Sequence, residues 1–374
     1  MRRPSPTAPR LASLAVLAAI ACGDADTTPD ASGSSGPAPG TDTAPSTSTP
    51  TTGAADTTAA APDTSTGGVD DDPCDDSPDA VADCVEAERY AADLEFVADI
   101  RTPGSTHWQA VQDLCFDRLT EFGYEVDLHE YGSGVNVIGR RVGLTAPDEI
   151  VLLGAHYDHI PDCHGADDNA TGVAAALEIA RVLAGAPLAR TVMVACWDEE
   201  ELGLVGSAAF AAQAAQDGTD IVVNFNFDMI GFSSSEPGSQ QIPAGLDLAF
   251  PDAYAEIEAN EFRGDFIAMM ANAGAAAATE DFLAQADRVG LRGGLLALPA
   301  GTETSDLFAD LRRSDHASFW DQGYAALFLT DSGEFRNPNY HCMAGPDEIV
   351  DLDEAFAVQV ARATAGAAAS AAGL

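Results

Sequence analysis

Several stretches of this 374-residue chain carry side chains that could hold a cation or move a proton. The first runs from Gly154 to Gly172 and contains His156, Asp158 and the pair Asp168-Asn169. His156 and Asp158 stand two apart, hence on one face of an extended chain. A carboxylate so placed can orient a metal-bound imidazole through its other ring nitrogen. Asp168, at a strand-to-helix crossing, is a candidate second ligand. Alone, the same residues also read as a strand end followed by a solvated acidic turn. The second stretch is Asp198-Glu199-Glu200-Glu201-Leu202-Gly203, whose neighbouring carboxylates repel and so need a cation or a solvated helix start. The third, Asp228-Met229-Ile230-Gly231, places one Asp after an apolar run. The last, Asn337-Pro338-Asn339-Tyr340-His341, ends in a histidine that by itself would equally be structural. Together, two His, two Asp and a Glu suit two divalent zinc ions. A bridging carboxylate would hold them about 3.5–4 Å apart. A further Glu beside a ligand could then take a proton from water.

These residues need rigid elements to hold them. Apolar runs at Val135–Gly139, Ile150–Tyr157, Val192–Trp197, Ile221–Phe227, Leu295–Leu298 and Ala325–Leu329 predict strands. Helical spacing predicts helices over Val85–Ile100, Thr106–Phe122, Ala174–Leu183, Val205–Ala215, Thr279–Val289 and Leu352–Ala363. Continuous apolar strands separated by helices imply an α/β fold, a mixed, mostly parallel central sheet with helices on both faces. Such sheets place their chemistry at the carboxyl ends of strands, where each candidate group falls.

The chain begins differently. Arg2, Arg3 and Arg10 precede the apolar run Leu11–Ala21, which is too short to span a bilayer and reads as a targeting segment. Its end, Ala19-Ile20-Ala21-Cys22-Gly23, resembles a bacterial lipoprotein signal with Cys22 lipidated; ordinary secretion is the alternative. Residues 23–72 are Thr, Ser, Pro, Gly, Ala and Asp and read as a disordered tether, leaving 73–374 as one folded domain. The net charge of −43 arises from 60 acidic residues against 17 basic ones, all Arg. With no basic stripe to meet phosphates, nucleic acid is an unsuitable partner. Export permits disulfides, Cys196 reads as a buried free thiol, and the pairing of Cys74, Cys84 and Cys115 stays open.

In order, GAHYDH, DDNATG, WDEEELGLVGS, NFDMIG, SDH and NPNYH resemble the M28 family of zinc aminopeptidases, from roughly Val135 to the C-terminus. The resemblance implies two Zn2+ ions and peptide substrates. It makes His156 and Asp228 ligands of the first metal, Asp168 the bridging carboxylate, and Glu201 and His341 ligands of the second. Asp158 becomes the partner of His156, Glu200 the general base and Tyr340 a donor to the oxyanion. Arg313, in Arg313-Ser314-Asp315-His316, would contact bound peptide. Glu199 is an acid beyond the family's Glu-Glu-Leu-Gly pattern. The loop from His341 to Asp347 is longer than usual, and a Cys163–Cys342 bridge would account for it. The segment Phe232–Phe266 would be a lid or specificity loop, while His129, His159 and His164 are set apart from the metals. Any membrane contact would be through the lipid anchor alone, and the oligomeric state is open. Alternatives are a glutaminyl-cyclase-like acyltransferase with one zinc, a carboxypeptidase of the same fold, an inactive peptide-binding lipoprotein and a structural calcium site.

Overall fold

Apolar runs that cannot face water become the middle of one sheet. The computed structural model describes residues 74–374. The targeting segment, Cys22 and the 23–72 tether lie outside the described residues. Strands are β1 Glu125–Glu130, β2 Val135–Arg141, β3 Ala146–His156, β4 Arg190–Trp197, β5 Asp220–Phe227, β6 Ile267–Ala271, β7 Gly293–Ala297 and β8 Ala326–Thr330. Helices are α1 Pro78–Asp83, α2 Ala87–Val97, α3 Thr106–Glu121, α4 Gly172–Gly185 and α5 Val205–Asp217. They continue with α6 Leu246–Ala249, α7 Pro251–Ala259, α8 Ala276–Val289, α9 His316–Asp321 and α10 Glu354–Ala371.

The sheet order is β1-β2-β4-β3-β5-β8-β6-β7. β4, β3, β5 and β8 are parallel to one another, as are β6 and β7, and the remaining pairings are antiparallel. The expected mixed, mostly parallel sheet is borne out. Alternation along β3 sends Val151 and Leu153 into one core with α3, α4, α8 and α10. Ile150 and Leu152 enter a second core with Ala211 of α5 and Phe319 and Trp320 of α9. Helices therefore cover both faces. Tyr90, Leu94 and Val97 of α2 are buried in the first core, so this helix packs on the domain.

Sheet order matters more than chain order for the site. β3 ends at His156, β4 just before Asp198 and β5 just before Asp228, and these three strands are neighbours. Three separate sequence stretches thereby meet at one edge.

The differences from the predicted elements have local causes. β1 is an edge strand, mostly exposed and charged, so it lacks an apolar signal. β6 is wholly buried but rich in Ala and Met, which have little strand preference. The last helix starts at Glu354, not Leu352, because the Asp353 side chain accepts from the Phe356 N–H and caps it. Among the described residues no helix is long and apolar enough to cross a membrane.

Candidate metal centre

Asp168 sits in a wide helical turn, Ala166–Thr171, between β3 and α4, and a cis peptide joins it to Asn169. The turn is buried throughout, so each of its polar groups needs a partner. Asn169 supplies several. Its amide donates to the Phe227 carbonyl at 2.8 Å, and its Oδ1 accepts from the N–H groups of Gly172 at 3.1 Å and Met229 at 3.3 Å. Gly172 lies so close to Asn169 Oδ1 that a Cβ there would collide with it. Asp167 accepts from the Gly231 N–H at 2.9 Å and from Asn337 at 2.8 Å. The turn that carries Asp168 is thus locked to the end of β5, which carries Asp228.

Asp168 then faces two groups of donors. His156 Nε2 lies 3.2 Å from Asp168 Oδ1 and 3.6 Å from Asp228 Oδ1. His341 Nε2 lies 3.2 Å from Asp168 Oδ2 and 3.2 Å from Glu201 Oε2. Converging donor atoms define a cluster of His156, Asp168 and Asp228, and a second of His159, Asp168 and Glu201. His156 Nε2, both ring nitrogens of His159 and Glu201 Oε1 are buried with no hydrogen-bond partner. Buried polar atoms without partners are costly, and atoms aimed at a shared point between them suit a cation. Imidazole with carboxylate is a donor set that fits zinc. Burial opposes ionisation of Asp168, but the neighbouring His156 and His341 rings outweigh that and hold the carboxyl well below its ordinary value.

Asp158 does more than face His156. Its Oδ1 is 3.6 Å from His156 Nδ1, which lies nearer, 3.2 Å, to the Asp158 carbonyl. The two carboxylate oxygens accept from the main-chain N–H groups of Glu200 at 3.0 Å and Glu201 at 3.3 Å. One carboxylate so fixes both acids of the loop after β4. Burial, opposed by His156 and reinforced by Asp228, Asp315 and Glu201, pushes Glu200 well above the ordinary carboxyl value. Glu199 turns away to accept from Ser133 at 2.6 Å. The Tyr340 ring stacks on His341 at 3.9 Å, and its hydroxyl accepts from Arg313 at 3.2 Å. Arg313 also pairs with Glu334.

Some residues at the site were not assigned to it from sequence. His159 was set apart, yet its Nδ1 lies 2.7 Å from Glu201 Oε1; neither spacing nor residue type distinguishes it from a solvated turn histidine. His129 and His164 do lie elsewhere, beside Gln213 and between Asp99 and Glu348. Asp347 is buried and accepts from the N–H groups of Asp167 and Asp168, at 3.0 and 3.2 Å for its Oδ2. Its late position in the chain was the available signal. Arg101, fully buried, donates to the carbonyls of His164, Gly165 and Asp168 at 2.6, 2.7 and 2.9 Å. A disulfide joins Cys163 to Cys342, with Cα atoms 5.9 Å apart, tying the loop after β3 to the loop of His341. Cys74 pairs with Cys84, while Cys115 and Cys196 are buried free thiols.

Beside the clusters opens a cavity of about 550 Å³. Glu200, Glu201, Asp228 and Tyr340 line it, together with apolar side chains from Phe232–Phe266 and the sheet, among them Ile242, Ile257, Met270 and Phe328.

Residues 136–285 match Peptidase family M28. The M28 match spans His156, Asp158, Asp168, Glu200, Glu201 and Asp228, while Arg313, Tyr340 and His341 lie beyond it. A protein named as the probable lipoprotein aminopeptidase LpqL of Mycobacterium tuberculosis is 32% identical over 217 residues, 55% of this chain and 39% of that protein. The chain spans 59%, 39% and 22% of the lengths of three curated relatives that it matches. The LapA aminopeptidase of Legionella pneumophila superposes with a TM-score of 0.58 at 14% identity, covering 79% of this chain and 75% of that one. A glutaminyl cyclase of Bacteroides thetaiotaomicron gives 0.50 at 17% identity, covering 75% and 97%. At such identities these likenesses speak for the fold.

Proposed function

We propose that this protein is a zinc-dependent aminopeptidase that removes amino-terminal residues from peptides. The observation that carries the reading is the pair of buried donor clusters sharing Asp168, with donor atoms that lack hydrogen-bond partners. His156, Asp168 and Asp228 would hold one ion; Asp168 and Glu201 of the second cluster, with His341 3.2 Å from each carboxylate, would hold the other. When bound, the ions would polarise the scissile carbonyl and lower the pKa of a water. Glu200 is the general base that takes the proton from the attacking water and passes it to the leaving amine. Asp158 holds Glu200 in place by accepting from its N–H. Tyr340, steadied by Arg313, donates to the oxyanion of the tetrahedral state. The apolar cavity favours a large apolar first residue, and its acidic rim suits a free amino group. Export, with Cys22 as a lipid anchor, completes the proposal, and the M. tuberculosis relative's printed name supports it.

The test is turnover of a panel of aminoacyl anilides by the full chain, with zinc, after chelation, and as Glu200→Gln. Zinc-dependent release that falls by roughly 10²-fold or more in the variant, at unchanged metal content, is the expected outcome. No release from any free-amino substrate would overturn the reading. Cyclisation of amino-terminal glutamine would then point to the cyclase alternative.

A further inference from the structure

We propose that His159 is itself a protein ligand of the second metal site, beside Asp168, Glu201 and His341. The inference rests on the dizinc reading and extends its donor set. His159 follows the end of β3 and is fully buried. A neutral imidazole in such a place normally donates from one nitrogen and accepts at the other. Here neither nitrogen has a hydrogen-bond partner. Nδ1 faces Glu201 Oε1 at 2.7 Å, as two ligand atoms brought to one point do, while Nε2 has no partner. His159, Glu201 and Asp168 each offer a ligand atom, and the three atoms lie within 4.8 Å of one another. The His341 ring stands edge-on to the His159 ring, with centroids 5.9 Å apart.

The ring is also held in place. Gly165 has φ +59°, and a Cβ there would come within 2.5 Å of His159 Cδ2. The His159 N–H donates to the Arg101 carbonyl at 3.3 Å, and Arg101 in turn holds the carbonyl of Asp168. The backbone that aims His159 is thus the backbone that aims the shared carboxylate. A histidine packed this tightly for apolar burial alone would leave its nitrogens unpaired, which is costly. A cation between His159, Glu201 and Asp168 would satisfy one of the two ring nitrogens together with the unpaired Glu201 oxygen.

Two measurements on the full chain test this. Metal-free protein is titrated with zinc by calorimetry, as parent and as His159→Phe, which keeps a ring but no donor. The expected result is that the variant keeps one tight zinc and binds the other roughly 100-fold more weakly or worse, at or beyond the loss typical of an indirect partner. Unchanged binding of both would overturn the proposal. Should the variant fail to fold, NMR of the parent loaded with isotopic cadmium, its histidine ring nitrogens labelled, decides the matter. A metal–nitrogen coupling from His159 supports ligation. Couplings from His156 and His341 without one from His159 would overturn it and leave His159 only as a neighbour of Glu201. A parent that binds fewer than two zinc ions would instead defeat the dizinc reading, and the His159 coupling would still be read independently.

Discussion

At the scale of single residues, the chain contains two histidines with opposite fates in buried surroundings. His159 is buried against carboxylates with its nitrogens unpaired, whereas His316 is buried among aromatic rings. His316 stacks on Phe328 at 4.4 Å, meets Trp320 edge-on at 4.4 Å, and donates from Nε2 to the Leu311 carbonyl at 2.8 Å. Burial pulls its pKa down to about 3. Folded protein therefore keeps His316 neutral where the unfolded chain protonates it, below about pH 6.5. Between those values the unfolded state binds the extra proton, so this residue's contribution to stability is lost as pH falls. His316→Phe lacks that loss. Urea unfolding at about pH 7.5 and about pH 5 should show the parent-to-variant difference moving in the variant's favour by about 2 kcal/mol. A difference independent of pH would contradict the assignment.

At the scale of elements, the buried turn Ala166–Thr171 depends on supports from distant parts of the chain. Arg101 braces its carbonyls and Asp347 braces its N–H groups. Replacing Arg101 by Leu strips donors from buried carbonyls, and each unsatisfied group costs about 1–3 kcal/mol. Chemical denaturation should show a loss of roughly 3 kcal/mol or more, and a loss below about 1 kcal/mol would mean that water or another donor replaces the guanidinium. Much of the strand framework was legible because buried parallel strands must be apolar, and His156, Glu200 and Asp228 stood at their ends. The supports were not legible from periodicity. Arg101, Asn337 and Asp347 act through main-chain atoms or single carboxylates far away in sequence, and contacts of that kind leave no local pattern. The short helices between Leu246 and Ala259 were missed because their sequence is rich in turn-forming and acidic residues. Yet they supply the apolar wall of the cavity, through Leu246, Ala253 and Ile257.

At the scale of the whole molecule, the site is closed by a link across nearly half of the 374-residue chain. Cys163 and Cys342 are separated by 179 residues, and their bond fixes the loop of His341 against the loop that leads to Asp168. Cross-linking so long a loop restricts the unfolded chain strongly. The double replacement by Ser should lower stability by roughly 2–5 kcal/mol, read as a fall in the denaturation midpoint. No fall would show that other contacts alone hold the His341 loop. The charge of −43 adds a second global property, a field that, on the proposed function, would favour a substrate's amino-terminal ammonium at the acid-lined cavity. The central claim is that one carboxylate, Asp168, is shared by two metal ions. The most direct measurement is the zinc content of the purified full chain by elemental mass spectrometry, for the parent and for Asp168→Asn. The account predicts about two zinc per chain in the parent, with both sites weakened in the variant. A single zinc in a fully active parent, or a variant that keeps both ions, would contradict it.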